Sequence, residues 1–523
     1  MRITSIGHAG FLIETTGGRI LCDPWATPTF FGSWHPFPRV DTVDPATFDD
    51  IDYLYVSHVH RDHLDPDLLA EKVAPTATVL LPDFGVDVLR TSLEELGFER
   101  FVETHNGEIV DLPGDLRIAI GSLAGPHVGP MGDSMLVVAD PTAVVLNQND
   151  AHPADLDLVA PFGPVDAHLL QYSGAIWYPM VYDIPAEEEA RLIADKRRRQ
   201  TERAFSYLDM VEARLVVPSA GPPCFLDDET FHLNDFTGCE ADATPTIFPD
   251  ARSFVREMSA DGRDHHRLLI PGSVLEVGGD ADGQVTHPVD DDRVDAIFED
   301  KRAYLERYQA DTADVRAAIR ASWPTDTTDL LSQLAEWIDP LLAVAPLTRK
   351  GVGGAVELSD GQGFRAVIDM VEGRVRAAEP DERTPFRFTA DRRLLESSVR
   401  RRVEDWCNEL FLSCRFEAHR SGAYNEYVYT FFKSLSPERM AYAERYYAEQ
   451  LADAETEWIT CDGWVVEARC PHQRARLDRV GSVEGEVLTC GLHGWQFDLN
   501  TGECLTSEGA VLRVRGRVEH PED

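Results

Sequence analysis

Two cysteines and two histidines near the C-terminal end constrain this chain more than any other feature. They stand as Cys470-Pro471-His472 and, after seventeen intervening residues, Cys490-Gly491-Leu492-His493. Both pairs can reach one place only if two loops lie side by side. Structural zinc sites more often pair like ligands, as in C-x-x-C followed by a histidine pair. The mixed order here instead suits two metals, one held by thiolates and the other by imidazoles. Trp495-Gln496-Phe497-Asp498 then reads as a strand and Asn500-Thr501-Gly502 as a turn. A small all-β domain is expected over 455–523.

This arrangement resembles the Rieske domain, in which Cys470, His472, Cys490 and His493 would hold a [2Fe–2S] cluster. The imidazoles are neutral where the thiolates are anionic, so the histidine-bound iron would accept the electron. High-potential Rieske proteins carry a disulfide between the two ligand loops and hydroxyls that donate to the cluster sulfurs. Here the matching positions hold Ala475 and Leu492, then Trp495 and Phe497. Without those donors the reduced cluster is less stabilised and its potential falls. The resemblance is therefore to the low-potential domains that feed oxygenases, and such a donor needs a second site to reduce.

The second informative motif is Tyr55-Val56-Ser57-His58-Val59-His60-Arg61-Asp62-His63-Leu64. His58 and His60 are two apart, so an extended segment points both the same way. Asp62 and His63 follow in a tight turn. Four ligand-type side chains in six residues, just after an apolar strand, indicate metal binding. The motif resembles the metallo-β-lactamase superfamily, an αβ/βα sandwich with metals at the edge of two sheets. Gly7-His8-Ala9-Gly10 and Leu21-Cys22-Asp23-Pro24-Trp25 look like the first hairpin of its ascorbate-lactonase-like branch. The resemblance implies that Asp23 supports a ligand from behind, that His127 is the third histidine ligand and that Asp150 is the bridging aspartate. Asp62, His63 and Asp150 would also take part in catalysis. Where the superfamily has a last histidine, this chain reads Pro218-Ser219-Ala220. The site is then mononuclear, or His152, His168 or His232 substitutes.

A hydrolytic site of this kind needs no electrons, since a Lewis-acid zinc with bound hydroxide suffices. A low-potential donor fused to it makes sense if the metal is non-haem iron, one ion or two, with zinc the alternative. His and carboxylate ligands with open positions suit such iron. The combination resembles the CMP-N-acetylneuraminate hydroxylase family, although there the Rieske domain comes first. It implies a monooxygenase that hydroxylates a polar small molecule at carbon or nitrogen, using O2 and electrons from a ferredoxin or reductase. The alternatives are a zinc or manganese hydrolase (lactone or phosphodiester) with a redox-sensing Rieske domain, and an electron-transfer protein with a relict sandwich.

Three regions follow: a metallo-β-lactamase-like metal domain over 1–250, a mainly helical middle over 251–454, and the Rieske domain. The fold class is thus α+β and multidomain. In the first region Ile3–Thr15, Arg19–Cys22, Tyr53–Ser57, Thr78–Leu81, Leu136–Ala139, Val144–Leu146 and Leu215–Pro218 read as strands, and Glu187–Leu208 as a helix. In the middle, helical periodicity covers Asp295–Ser322, Asp326–Leu342, Arg392–Phe411 and Pro437–Ala454, with a hairpin at Gly354–Ala378. The aromatic runs 406–413 and 424–432 read as core packing between domains. Gln171–Tyr178, which mixes polar and aromatic groups around Gly174, is a candidate substrate loop.

The net charge of −42 disfavours nucleic acid as a partner. No run of ~18 apolar residues predicts a membrane span, and the first residues do not read as a signal peptide. A cytoplasmic protein is expected, and a homo-oligomer is compatible with the sequence. The nine cysteines are scattered and indicate no disulfide framework.

Overall fold

The structure is a computed structural model of the 523-residue chain. It describes residues 1–125, 129–174, 176–324, 329–451, 456–472, 474–492, 494–507 and 510–517.

Period-two alternation builds the first region. In Tyr53–Tyr55 and the residue after it, Tyr53 and Tyr55 face one side while Leu54 and Val56 face the other, and all four are buried. A strand buried on both faces belongs inside a layered fold. An eight-stranded sheet runs in the order Val285–Thr286, Val274–Glu276, Arg2–Gly7, Gly10–Thr15, Gly18–Cys22, Tyr53–Tyr55, Thr78–Leu81, Arg100–Glu103. A six-stranded sheet runs Leu215–Ser219, Ala167–Gln171, Ala143–Asn149, Gly129–Asp140, Leu116–Gly125, Ile109–Leu112. Ile3, Phe11, Ile13, Ile20 and Tyr55 of the first pack against Ile118, Ile120, Leu136, Val145 and Val217 of the second. Helices Pro66–Lys72 and Val88–Glu95 cover the outer face of the first sheet. Helices Ala186–Val211 and Ala251–Ala260 cover that of the second. This is the metallo-β-lactamase αβ/βα sandwich. Its first sheet takes two strands from beyond residue 250.

The run Ile3–Thr15 divides into two antiparallel strands, with Gly7 opposite Gly10. The break falls where Gly7 and His8 both adopt positive φ, 113° and 53°. Glycine has no Cβ to oppose that geometry, and histidine is among the few other residues that tolerate it.

The middle region is helical, as expected. The stretch 295–322 folds as Asp291–Glu299, Lys301–Asp311 and Ala313–Ala321, and Leu330–Ala343 follows. The region also contains a five-stranded sheet, ordered Arg374–Ala377, Arg365–Asp369, Ala355–Ser359, Phe386–Ala390, Phe416–Arg420. The expected hairpin at 354–378 is three of these strands, Ala355–Ser359, Arg365–Asp369 and Arg374–Ala377. The run 392–411 is helical only over Arg392–Arg400, and a π-type turn forms at Cys407–Phe411. Trp406, Phe411 and Phe432 are buried together with Trp34, Trp177 and Trp337, so the aromatic runs do pack one shared core between regions. Trp34 Nε1 donates to the Leu412 carbonyl at 2.6 Å and Ser33 Oγ to that of Ser413 at 2.6 Å, anchoring the middle to the sandwich.

The last region consists of two three-stranded sheets, Trp458–Cys461 with Trp464–Glu467 and Val514–Arg517, and Gly481–Glu484 with Val487–Cys490 and Trp495–Asp498. Its core is continuous with the outer face of the six-stranded sheet: Cys490, Trp495 and Phe497 share a cluster with Tyr207, Leu208 and Phe254. No helix among the described residues is long and apolar enough to cross a membrane.

Candidate metal centre

The N-terminal site lies where Tyr53–Tyr55, Ala143–Asn149 and the turn at residues 7–10 end on one rim of the sandwich. Strand Tyr53–Tyr55 delivers Ser57 and His58 in extended form. The chain then turns back, with the His60 carbonyl accepting from the amides of His63 (2.9 Å) and Leu64 (2.7 Å). Asp65 stops the turn by capping helix Pro66–Lys72, accepting from the Leu68 amide at 3.1 Å. A carboxylate there also favours the positive end of the helix.

Behind this loop stands a buried polar frame. Asp23 accepts from the Ser57 amide at 2.7 Å and lies 3.3 Å from His63 Nδ1. Ser57 Oγ is 3.0 Å from His58 Nδ1 and 3.2 Å from His63 Nδ1. Ser134 donates to the Ser57 carbonyl at 2.7 Å and lies 2.8 Å from the Tyr55 hydroxyl. Asp133 Oδ1 is 3.3 Å from His58 Nδ1. Asn149 has a φ of 44°, donates to the Ser134 carbonyl at 2.9 Å and accepts from the Asp150 amide at 2.6 Å. It thereby aims Asp150 into the site.

Two groups of ligand atoms result, each with all its atoms within 4.8 Å of one another: His58, His60 and Asp150, and His8, Asp62 and His63. His58 Nε2 lies 2.7 Å from His60 Nδ1 and 3.9 Å from Asp150 Oδ2. Asp150 Oδ2 is also 3.5 Å from His63 Nε2, so it stands between the groups. Of the sequence-derived candidates, His58, His60, Asp62, His63 and Asp150 come together. His127 lies outside the described residues. His152 and His168 instead meet glutamines, each with Nε2 2.9 Å from an Oε1, of Gln171 and Gln148 respectively. His232 sits in the turn Phe231–Leu233. None of these three belongs to either group. The sequence reading overlooked His8, although it closes the quoted Gly7-His8-Ala9-Gly10 turn.

The electrostatics suit a cation. Burial, reinforced by His60 and His63, drives His58 well below the usual histidine range. Burial first and Lys433 next lower His60 to about 3. Both imidazoles are therefore neutral, the form that binds metal. For Asp150, burial would favour the neutral acid, but His63 and His58 outweigh it and hold its pKa well below the carboxylate range. His8 Nε2, His63 Nε2, Asp62 Oδ1 and Asp150 Oδ1 are buried with no hydrogen-bond partner. Burying such atoms unpaired costs ~1–3 kcal/mol each, and a bound metal removes that cost. The residues present thus fit a metal.

At the other site, Cys470, Cys490 and His472 are all buried. Each cysteine opens a tight turn: the Cys470 carbonyl accepts from the Arg474 amide at 3.0 Å, and that of Cys490 from Gly494 at 2.8 Å. The Trp495 ring stacks on His472 at 4.1 Å and 16°, which joins the two loops. His493 lies outside the described residues. Ala475, Leu492, Trp495 and Phe497 are all buried.

Three family profiles match. A Rieske [2Fe-2S] domain covers residues 452–512, a beta-lactamase superfamily domain 2–124, and an Rv3818-like, SCP2-like domain 330–449. A Mycobacterium tuberculosis protein, provisionally named a Rieske 2Fe-2S iron-sulfur protein, is 46% identical over 519 residues, covering 98% of this chain and 99% of its own. The chain belongs to this Rieske-protein family. The Rieske match supports a [2Fe–2S] cluster in this region. Solved structures similar in part include CmlA, a diiron β-hydroxylase from Streptomyces venezuelae, at 19% identity and TM-score 0.32, covering 51% of this chain and 52% of that one. Another is Igni18, a metallo hydrolase from Ignicoccus hospitalis, at 15% identity and TM-score 0.33, covering 52% and 97%.

The SCP2-like match covers 330–449 of the middle region and includes residues near the candidate metal centre. Lys433, at the end of helix Glu426–Lys433, and Arg439 are buried close enough to His60 to lower its pKa.

Proposed function

We propose that the protein is a cytoplasmic monooxygenase that hydroxylates a polar small molecule at carbon or nitrogen, at the N-terminal metal site, with electrons delivered through the Rieske domain. The observation that carries this reading is the packing of the Rieske core onto the sandwich directly behind Asp150. Tyr207 donates to the Pro153 carbonyl at 2.8 Å, three residues beyond Asp150. Tyr207, Ala151 and Cys490 share one buried cluster. The Cys490 loop and the Asp150 loop are thus linked through packed protein within a single chain. A domain that only sensed redox state would not need this placement.

Iron bound at the N-terminal site would supply redox chemistry with dioxygen, and the [2Fe–2S] cluster single electrons. The chain's own residues do the rest. His58, His60 and Asp150 offer ligand atoms on one side, and Asp62 and His63 on the other; His127 is proposed to join them. Asp23 and Ser57 hold the imidazoles in orientation. Lys433 and Arg439 add positive charge beside His60, which suits a polar substrate with negative character. A ferredoxin or reductase is the proposed electron donor.

Metal analysis with EPR on anaerobically purified protein, before and after dithionite, tests this. Iron beyond the two cluster atoms, lost in His58→Ala, is the expected result. Stoichiometric zinc, with turnover of a lactone or phosphodiester that needs no oxygen, would instead establish the hydrolase reading.

A further inference from the structure

The residue that replaces the superfamily's last histidine is Ala220, and the structure shows what stands beside it. The Ala220 amide donates to the His8 carbonyl at 3.0 Å. Both residues adopt positive φ, 43° for Ala220 and 53° for His8, so two tight turns meet here. The His8 ring is 4% exposed and is supported edge-on by Trp25, with ring centroids 5.2 Å apart. His8 Nδ1 lies 2.8 Å from the Gly221 carbonyl oxygen. That oxygen can only accept, so Nδ1 carries the proton. In neutral imidazole the other nitrogen, Nε2, then presents its lone pair, and it faces Asp62 Oδ2 at 3.1 Å. Two lone pairs facing each other in a dry site repel unless they share a proton or both turn to one metal ion; the nearby His63 Nε2 and Asp150 Oδ2 make the second arrangement available. His63 Nε2, itself unpartnered, is 3.9 Å from the same Asp62 oxygen and 3.5 Å from Asp150 Oδ2.

We propose that His8 takes over the ligand position that Ala220 leaves empty and completes a second metal position with Asp62, His63 and the shared Asp150. The ligand has moved from the end of strand Leu215–Ser219 to the hairpin turn that touches it, and the Gly221 carbonyl fixes its tautomer as a ligating histidine requires. The centre is therefore dinuclear. The inference rests on the metal site of the proposed function, but not on the reaction assigned to it.

The test counts metal in the full-length protein with its cluster. Protein is incubated anaerobically with Fe(II), freed of excess ion and assayed for iron and zinc, and the cluster absorbance serves as the folding control. The wild type should hold two ions beyond the cluster, and His8→Ala one. The double variant His8→Ala/Ala220→His should regain the second, because it returns a ring to the vacant position. His8→Gln gives the same comparison should the alanine variant misfold, since its amide can still donate to the Gly221 carbonyl. The proposal is overturned if His8→Ala and His8→Gln keep both ions. It is equally overturned if the wild type holds one ion that only His58→Ala removes, which would leave the proposed function standing. If His58→Ala leaves the count untouched, the metal site itself is misassigned.

Discussion

Asp23→Asn is expected to weaken metal binding at the N-terminal centre although Asp23 lies behind the ligands. The carboxylate serves two donors, the Ser57 amide at 2.7 Å and His63 Nδ1 at 3.3 Å, and it is fully buried. Asparagine keeps the shape but has one oxygen. If that oxygen stays with Ser57, the amide NH2 faces His63 Nδ1. The ring must then move its proton to Nε2, which faces Asp62 and Asp150, and it ceases to be a ligand. If the amide flips, the Ser57 N–H loses its acceptor, at a cost of ~1–3 kcal/mol. Partners of this kind commonly change metal affinity by about 10–100-fold, equivalent to ~1.4–2.8 kcal/mol. Competition with a chelator measures the affinity, and thermal unfolding of the metal-free protein separates a folding defect. Wild-type affinity in a folded Asp23→Asn variant would refute the argument that Asp23 sets the His63 tautomer.

Three further outcomes are expected. Cys490→Ser should remove the EPR signal of the reduced cluster while leaving the count of N-terminal ions unchanged, because no described residue of the Rieske loops enters either ligand group. Burial holds His168 at about 3, so above the unfolded value of about 6.5 its burial as the neutral form is unpenalised. Below that, the unfolded chain binds a proton the folded one refuses, and stability falls by ~1.4 kcal/mol per pH unit until about pH 3; His168→Gln should flatten urea-derived stability against pH by that slope. Asp227 joins Arg316 (2.7 Å) and the buried Arg415, which also pairs with Glu229. Asp227→Ala should lower unfolding free energy by about 1.5–3 kcal/mol, because it removes one of the two carboxylates that pair with the buried Arg415, and an unchanged denaturation midpoint would contradict this.

Local chemistry was legible in the order of residues. His58, His60, Asp62 and His63 are close in sequence, so one strand and one turn are enough to gather them. Cys470 with His472, and Cys490 with its loop, are likewise short-range. The alternation of Tyr53–Val56 is also local, and the position of that strand followed from it. The middle sheet was legible only as a hairpin, because the pairing of Ala355–Ser359 with Phe386–Ala390 and of the latter with Phe416–Arg420 joins distant segments.

What tertiary structure decided were the meetings between remote segments. His8 is an unremarkable residue of a hairpin turn until the fold lays residues 220–221 against it. Asp150 joins the histidines because two sheets end on one rim. The Rieske core could have stood apart on a linker, and its patterning would have read the same. Apolar packing against Tyr207 and Phe254, with the Arg479–Asp157 ion pair, holds it against the sandwich. Sequence specifies which atoms can bind metal, since that depends on residue type and short spacing. Which of them do so together depends on burial of surfaces hundreds of residues apart, and that the folded core alone determines.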